Sequence, residues 1–189
     1  VEKGMMIKLP QKSNSHVIPC GVDFEIFKPI SKAESRKLLG FKSDEKIILF
    51  ASSFDRKVKN YPLAKRATDH LNINFRLVEI KNKTRQEVAL MLNAADILLL
   101  TSFSEGSPQV IKEAMACNCP IVATDVGDIS KVIGKTNGCH ISSFDYKDVA
   151  EKIQKLINYP NRTKGRENIN HFKNTYIASL VLQVYKSIT

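Results

Sequence analysis

With 189 residues, 43% of them hydrophobic and 25% charged, the chain has the composition of an ordinary globular protein and the length of one domain, or of one domain with an appended arm. No apolar run reaches the eighteen or so residues that a spanning helix needs, and no secretory signal pattern is visible. The net charge of +10 calls for an anionic partner, but the aromatics, 7% of residues, are not interleaved with the basic clusters and no nucleic-acid reader motif is present. Nucleic acid is therefore not expected; an anionic membrane surface or a charged small molecule is.

In chain order, residues 5 to 19 read as an extended piece and a turn leading into the domain. Ser31 to Leu39 has helical spacing, with Ser31 as cap and Glu34 as its capping-box partner. Lys46 to Ala51 is an apolar strand, followed by the basic loop Ser52-Ser-Phe-Asp-Arg-Lys-Val-Lys-Asn-Tyr61. Tyr61 to Leu71 is predicted helical, Phe75 to Ile80 a strand, and Thr84 to Asn93 a helix capped by Thr84 with Glu87 three residues on. Ile97-Leu-Leu-Leu100 is a continuous apolar run of the kind buried on both faces of a sheet. A signature helix follows, then a strand at Ile121 to Thr124, a short helix at Ile129 to Ile133, a strand at Gly138 to Ser142 and an amphipathic helix from Tyr146 to Asn158. The tail from Asn168 to Ser187 reads as helix, in one piece or two. Strands alternating with helices, without hairpin signals, imply an α/β fold: a Rossmann-like, doubly wound parallel sheet with helices on both faces. Ligands bind such sheets outside the carboxyl ends of the strands.

The stretch Thr101-Ser-Phe-Ser-Glu-Gly-Ser-Pro-Gln-Val-Ile-Lys-Glu-Ala-Met-Ala-Cys-Asn-Cys-Pro120 carries the chemistry. Ser107 is the expected N-cap and Pro108 the first helical residue; Val110, Ile111, Ala114 and Met115 form the buried stripe. Asn118 suits a left-handed stop and Pro120 prevents continuation. The free N–H groups around Gly106 and Ser107, backed by the helix dipole, make a phosphate site. Glu113 lies roughly 9 Å along the helix axis from the cap, about the offset between a diphosphate and its ribose. Glu105, in the turn, faces the sugar side. The plainer alternative is that Glu105 simply complements the dipole and Glu113 pairs with Lys112 or Gln109 on a solvated face. Glycoside hydrolysis needs two carboxylates flanking one bond, which a turn residue and a residue in the second turn of a helix do not supply.

Glu105 and Glu113, followed by Ala-Met-Ala-Cys-x-x-Pro-Ile-Val-Ala-Thr, resemble the signature of retaining glycosyltransferases of the GT-B fold, family 4. His16-Val-Ile-Pro-Cys-Gly-Val-Asp-Phe-Glu-Ile-Phe-Lys-Pro29 resembles the lead-in to that family's C-terminal domain, Lys59-Asn60 its Lys-Gly or Lys-Asn, and Asn93-Ala-Ala-Asp96 its helix-to-strand junction. The four segments occur in the family's order over residues 17 to 157. The resemblance implies one half of a GT-B fold, with residues 1–16 as an interdomain remnant, 17–160 as the nucleotide-sugar domain and 161–189 as a helical tail. It implies transfer of a sugar from a nucleoside-diphosphate donor, with retention, to an acceptor hydroxyl; Glu105 and Lys59 would act at the reacting centre, and Gly106, Ser107, Glu113 and Arg56 would hold the donor. The family usually has an arginine where Phe54 stands, and Arg56 is the candidate substitute from a shifted position. The base, uridine, guanosine or adenosine, stays open, with the turn after Ile80 as its expected pocket. A lead-in motif starting at Val17 leaves no room for the acceptor-binding N-terminal half, and a start at Val1 favours excision from a longer enzyme.

No metal or other cofactor is expected. The family resembled needs none, no Asp-x-Asp site appears, the four histidines are scattered, and Cys20, Cys117, Cys119 and Cys139 lack zinc spacing and read as small buried thiols of a reducing compartment. The expected location is cytoplasmic, extending to peripheral contact with the inner membrane face. Competing readings are a nucleotide-binding module without turnover, a GT-B-type epimerase, whose histidine and carboxylate pattern is not evident, and a basic domain that binds membrane or nucleic acid.

Overall fold

The computed structural model describes residues 16–158 and 161–187. The stretch 5–15 of the expected extended piece lies outside them. Five parallel strands form one sheet in the order β2-β1-β3-β4-β5, where β1 is Ile47–Phe50, β2 Arg76–Glu79, β3 Ile97–Leu100, β4 Ile121–Thr124 and β5 Cys139–Ser142. β1, β3 and β4 are buried throughout, which is why they read as unbroken apolar runs rather than alternating ones. Their side chains divide strictly by parity. Ile48, Phe50, Ile97, Leu99 and Val122 meet one helical layer, and Ile47, Leu49, Leu98, Leu100, Ile121 and Ala123 meet the other.

The first layer holds α2 (Tyr61–Asp69) and α6 (Tyr146–Ile157), which bury Leu63, Ala64, Ala67, Val149, Ala150, Ile153 and Leu156. On the opposite face lie α3 (Arg85–Ala94), α4 (Gln109–Ala116) and α5 (Ile129–Ile133), with α1 (Lys32–Leu39) packed on α3. Ser31 caps its helix as expected, Oγ accepting from the Glu34 N–H, but the return bond from the Ser31 N–H to Glu34 that a capping box needs is not found; Thr84 and Glu87 make the full reciprocal box. Boundaries shift by one or two residues, within the usual fraying of ends.

Asp96 gives the Ala-Ala-Asp junction its physical reason. Its carboxylate accepts from Lys32 Nζ (2.6 Å), Arg36 Nη2 (2.9 Å) and the Ile47 N–H (2.7 Å), tying α1 and the start of β1 to the start of β3. Two arginines of the tail do similar work at helix ends. Arg162 donates to the carbonyls of Leu92, Ala95 and Cys117, and Arg166 to those of Ala116, Phe24 and Phe27. These are the orphan carbonyls of α3 and α4 and of the lead-in turn, where a cation also complements the dipole. The tail resolves into α7 (Gly165–Asn168), a 3₁₀ turn at Asn170–Phe172 and α8 (Asn174–Lys186). A parallel bridge of Val22 with Lys173 brings the lead-in and the tail together. Among the described residues no helix is long and apolar enough to cross a membrane.

Candidate functional site

In this strand order the chain runs from β1 outward to β2, then returns to place β3 on the other side of β1. The topological switch point therefore lies between β1 and β3, and it is outside the carboxyl ends of the strands at such a point that open α/β sheets bind ligands. Two loops border it, 51–60 after β1 and 101–108 after β3. The first ends in a 3₁₀ turn, Lys57–Lys59, and then Asn60 in the left-handed region (φ 52°). That backbone explains why glycine or asparagine must follow the lysine: other side chains meet steric cost there. Thr101, buried directly after β3, donates Oγ1 to the carbonyls of Lys59 and Asn60 (both 3.0 Å) and locks the two loops together.

Across this junction Lys59 Nζ meets Glu105 Oε1 at 2.6 Å, with the two side chains 14% and 13% exposed. Ser102 Oγ donates to the same oxygen at 2.6 Å. Among the described residues Oε2 has no donor, so Glu105 is fixed in place with one oxygen to offer. Lys59, likewise, uses one of three N–H donors on Glu105. Arg56 stands apart. It is exposed at the head of the 3₁₀ turn, and no side-chain partner is found for it among the described residues. Phe54 packs its ring on Tyr61 (4.2 Å between centroids) and Phe50 (5.4 Å), so an aromatic cluster occupies the position where the family resembled carries a cation.

The signature helix differs from expectation at its start. Ser107 does not cap it. Pro108 holds the cap position with ψ 116°, outside the helical range, and α4 begins at Gln109 without a side-chain cap. Proline fixes φ but leaves ψ free, and here Pro108 keeps an extended ψ, which moves the first helical residue from Pro108 to Gln109. The Ser107 Oγ is left buried with no partner among the described residues. The backbone N–H groups of Gly106, Ser107 and Gln109 likewise find no protein acceptor there. Gly106 is exposed, and a Cβ built on it meets only open space. Behind this turn Gly127 lies so close, with φ 63°, that an added Cβ would collide with the Gly106 carbonyl oxygen. The Asp128 N–H donates to that same oxygen at 3.1 Å.

Glu113 is half-buried on the flank of α4, without a hydrogen-bond partner among the described residues. Burial pushes its pKa above the ordinary carboxylate value, with Arg85 pulling the other way. It is paired with neither Lys112 nor Gln109. Those two side chains turn inward and donate to the carbonyls of Cys20 and Gly21. The helix stop is as expected: Asn118 has φ 55°, and its Oδ1 accepts from the Arg166 N–H.

Cys117, Cys119 and Cys139 are buried free thiols, and burial pushes Cys117 and Cys139 up to about 12. Cys20 departs from the expectation, because the lead-in backbone exposes it. The residues that sequence reasoning missed here are Thr101, Ser102, Lys112 and Asp128. The hydroxylated pair directly after an apolar strand is a readable signal in hindsight; the other two depend on tertiary packing.

A family model described as Glycosyl transferases group 1 matches residues 61–159. The chain belongs to that family. The D-inositol 3-phosphate glycosyltransferase of Mycolicibacterium smegmatis is 25% identical over 202 residues, covering 90% of this chain and 46% of the relative. Among solved structures, a sucrose-phosphate synthase from Thermosynechococcus elongatus superposes with a TM-score of 0.83 at 21% identity, over 98% of this chain and 55% of that one. Anabaena Alr3699/HepE, solved in complex with UDP-glucose, gives 0.76 at 17% identity, over 91% and 57%. The chain thus spans about half the length of the glycosyltransferases it matches, and its sheet is one half of a GT-B fold.

Proposed function

We propose that this chain is the donor-binding half of a retaining, hexosyl-type, metal-independent glycosyltransferase. The observation that supports the reading is the Lys59–Glu105 pair at the carboxyl rim, beside a turn whose Gly106, Ser107 and Gln109 amides find no acceptor among the described residues; Glu113, on the helix which that turn begins, finds no donor there either. In this reading the amides and Lys59 receive the diphosphate. Negative charge accumulates there as the bond from the sugar's anomeric carbon to the phosphate oxygen breaks, so a fixed cation and preorganised donors favour the transition state over the ground state. The orphaned Ser107 hydroxyl supplies one more donor. Glu113 accepts from the ribose hydroxyls, and the free oxygen of Glu105 orients the donor sugar. Arg56 is long and exposed enough to join the phosphates from the rim. HepE's crystallisation with UDP-glucose supports a nucleotide-sugar as ligand.

The acceptor side belongs, in this reading, to an N-terminal half of the same enzyme. Helix α8 supports this. It buries no residue, though rich in Ile, Leu, Val and Tyr, and it leaves Leu182 59% exposed and Tyr185 63% exposed. Calorimetric titration with UDP, GDP and ADP tests the assignment. One of them is expected to bind, Glu113→Ala to weaken it by about 1–3 kcal/mol, and Lys59→Met by about tenfold, with an added salt dependence lost in the variant. Binding unchanged by Glu113→Ala removes the ribose role. Retention of the chain on anionic liposomes that survives added nucleotide and disappears with salt would instead favour the basic-surface reading.

A further inference from the structure

Glu79 ends β2 with a carboxylate on the face where strand alternation would place an apolar side chain. Leu77, two residues earlier and of the same parity, packs with the layer that holds Phe50. Glu79 is half-buried, and in the sheet register it stands beside Phe50. Its Oε2 accepts the Phe54 N–H at 2.7 Å, in the loop that leaves β1. The next residue adds to this tie, the Ile80 N–H reaching the Ser52 carbonyl at 3.0 Å.

Phe54, so held, closes the loop on itself. Its ring lies 4.2 Å from that of Tyr61 and 5.4 Å from that of Phe50, and Phe50 meets Tyr61 edge-on at 5.8 Å. Phe54 precedes the 3₁₀ turn and Tyr61 directly follows Asn60, so the ring contact joins the two ends of the segment that carries Lys59. Within that closure the Lys59 N–H donates to the Arg56 carbonyl (2.9 Å) and the Asn60 N–H to that of Lys57 (3.1 Å). From this turn Lys59 Nζ reaches Glu105 at 2.6 Å. A second set of contacts, Lys81 to Asp55 and Ser53 to Asp55, also touches the loop. Asp55 is 65% exposed, however, and an ion pair so open to solvent holds little. A lysine ammonium is a point charge on a flexible stem, so where it acts depends on the backbone that carries it.

We propose that Glu79 is a positioning residue: through the Phe54 amide it seats the Phe54 ring on Tyr61, and that clasp fixes the turn from which Lys59 reaches the carboxyl rim. Its effect on ligand rests on Lys59 facing the diphosphate; its effect on the turn does not.

Glu79→Leu removes the acceptor, whereas Glu79→Gln keeps an oxygen that takes the same N–H. In the ligand-free chain, Glu79→Leu should speed hydrogen exchange of the Phe54, Lys59 and Asn60 amides by about fivefold or more after correction for global stability, and Glu79→Gln should leave them near wild-type rates. Whichever of UDP, GDP and ADP binds should bind Glu79→Leu about fivefold more weakly and Glu79→Gln like wild type. In a Lys59→Met background the same Glu79→Leu change should cost no more than about twofold, because the residue through which it acts is gone. Lys59 and Asn60 amides that exchange at the wild-type rate in Glu79→Leu overturn the proposal. So does an affinity loss that persists undiminished without the lysine, since Glu79 would then reach the ligand by another route. If the wild-type chain binds none of the nucleotides, the donor-site reading falls while the exchange comparison still decides the role of Glu79. Should Glu79→Leu fail to fold, Phe54→Leu takes away the ring and keeps the backbone bond, with the same faster exchange expected at Lys59 and Asn60 and wild-type rates there overturning the clasp.

Discussion

At the amino rim of the sheet, Asp96 spreads its two oxygens over Lys32, Arg36 and the Ile47 N–H, and is 10% exposed. At the carboxyl rim, Glu105 meets Lys59 and Ser102 through one oxygen and is 13% exposed. Burial is nearly the same and the partner chemistry is alike, but the degree of satisfaction is not. A carboxylate with both oxygens engaged holds elements together; one kept in place with an oxygen to spare, beside free amides and a lysine with spare donors, is arranged to meet something else. Glu113 lies further along that scale, half-buried and without any protein donor found for it.

The sharpest way to break this contrast is to remove the satisfied member. Asp96→Ala strands the buried Arg36 guanidinium and should destabilise the domain by about 3–5 kcal/mol in chemical denaturation, the usual result of breaking a buried pair by removing one partner. Nucleotide affinity, measured where the variant is still folded, should stay at the wild-type level. Equal losses of stability from Glu105→Gln would erase the distinction between the rims. A smaller effect is expected at Glu113, and of opposite sign. Burial raises its folded pKa above the unfolded value, so the stability it contributes is complete below the unfolded pKa and is lost as pH rises through the folded one. Glu113→Gln should therefore flatten the fall in stability from about pH 4 upward, and be no less stable than wild type at neutral pH. Lowered stability at neutral pH would mean that the carboxylate has a partner after all. The smallest effect sets the baseline: Lys65 and Asp69 pair on the solvent side of α2, more than half exposed, and Lys65→Ala should cost no more than about 0.5 kcal/mol.

The strands and helices were legible because periodicity, caps and buried runs are local. Thr84 and Glu87 announce their helix in four letters, and Ile97–Leu100 announces a central strand by its lack of polar residues. The Lys59–Glu105 encounter was legible only in part. Loop positions after β1 and β3 place both residues on one rim, but the contact requires the β1/β3 adjacency that the sheet order supplies. Ser107 was misread because the rule that seats proline in the first helical turn ignores the freedom of proline to keep an extended ψ. Lys112 was invisible for a different reason. On a helical wheel it belongs to a polar flank, and only the lead-in folding over that flank buries it.

Arg166 reaches back to the carbonyls of Phe24 and Phe27, about 140 positions earlier, and Arg162 closes the ends of two helices that precede it by dozens of residues. On a ribosome the sheet strands emerge well before either guanidinium does. The nascent domain must wait, with those helix ends open to water, until residues 162–166 clear the exit tunnel. Completion of this fold thus lags the emergence of its sheet and depends on a segment made after every strand.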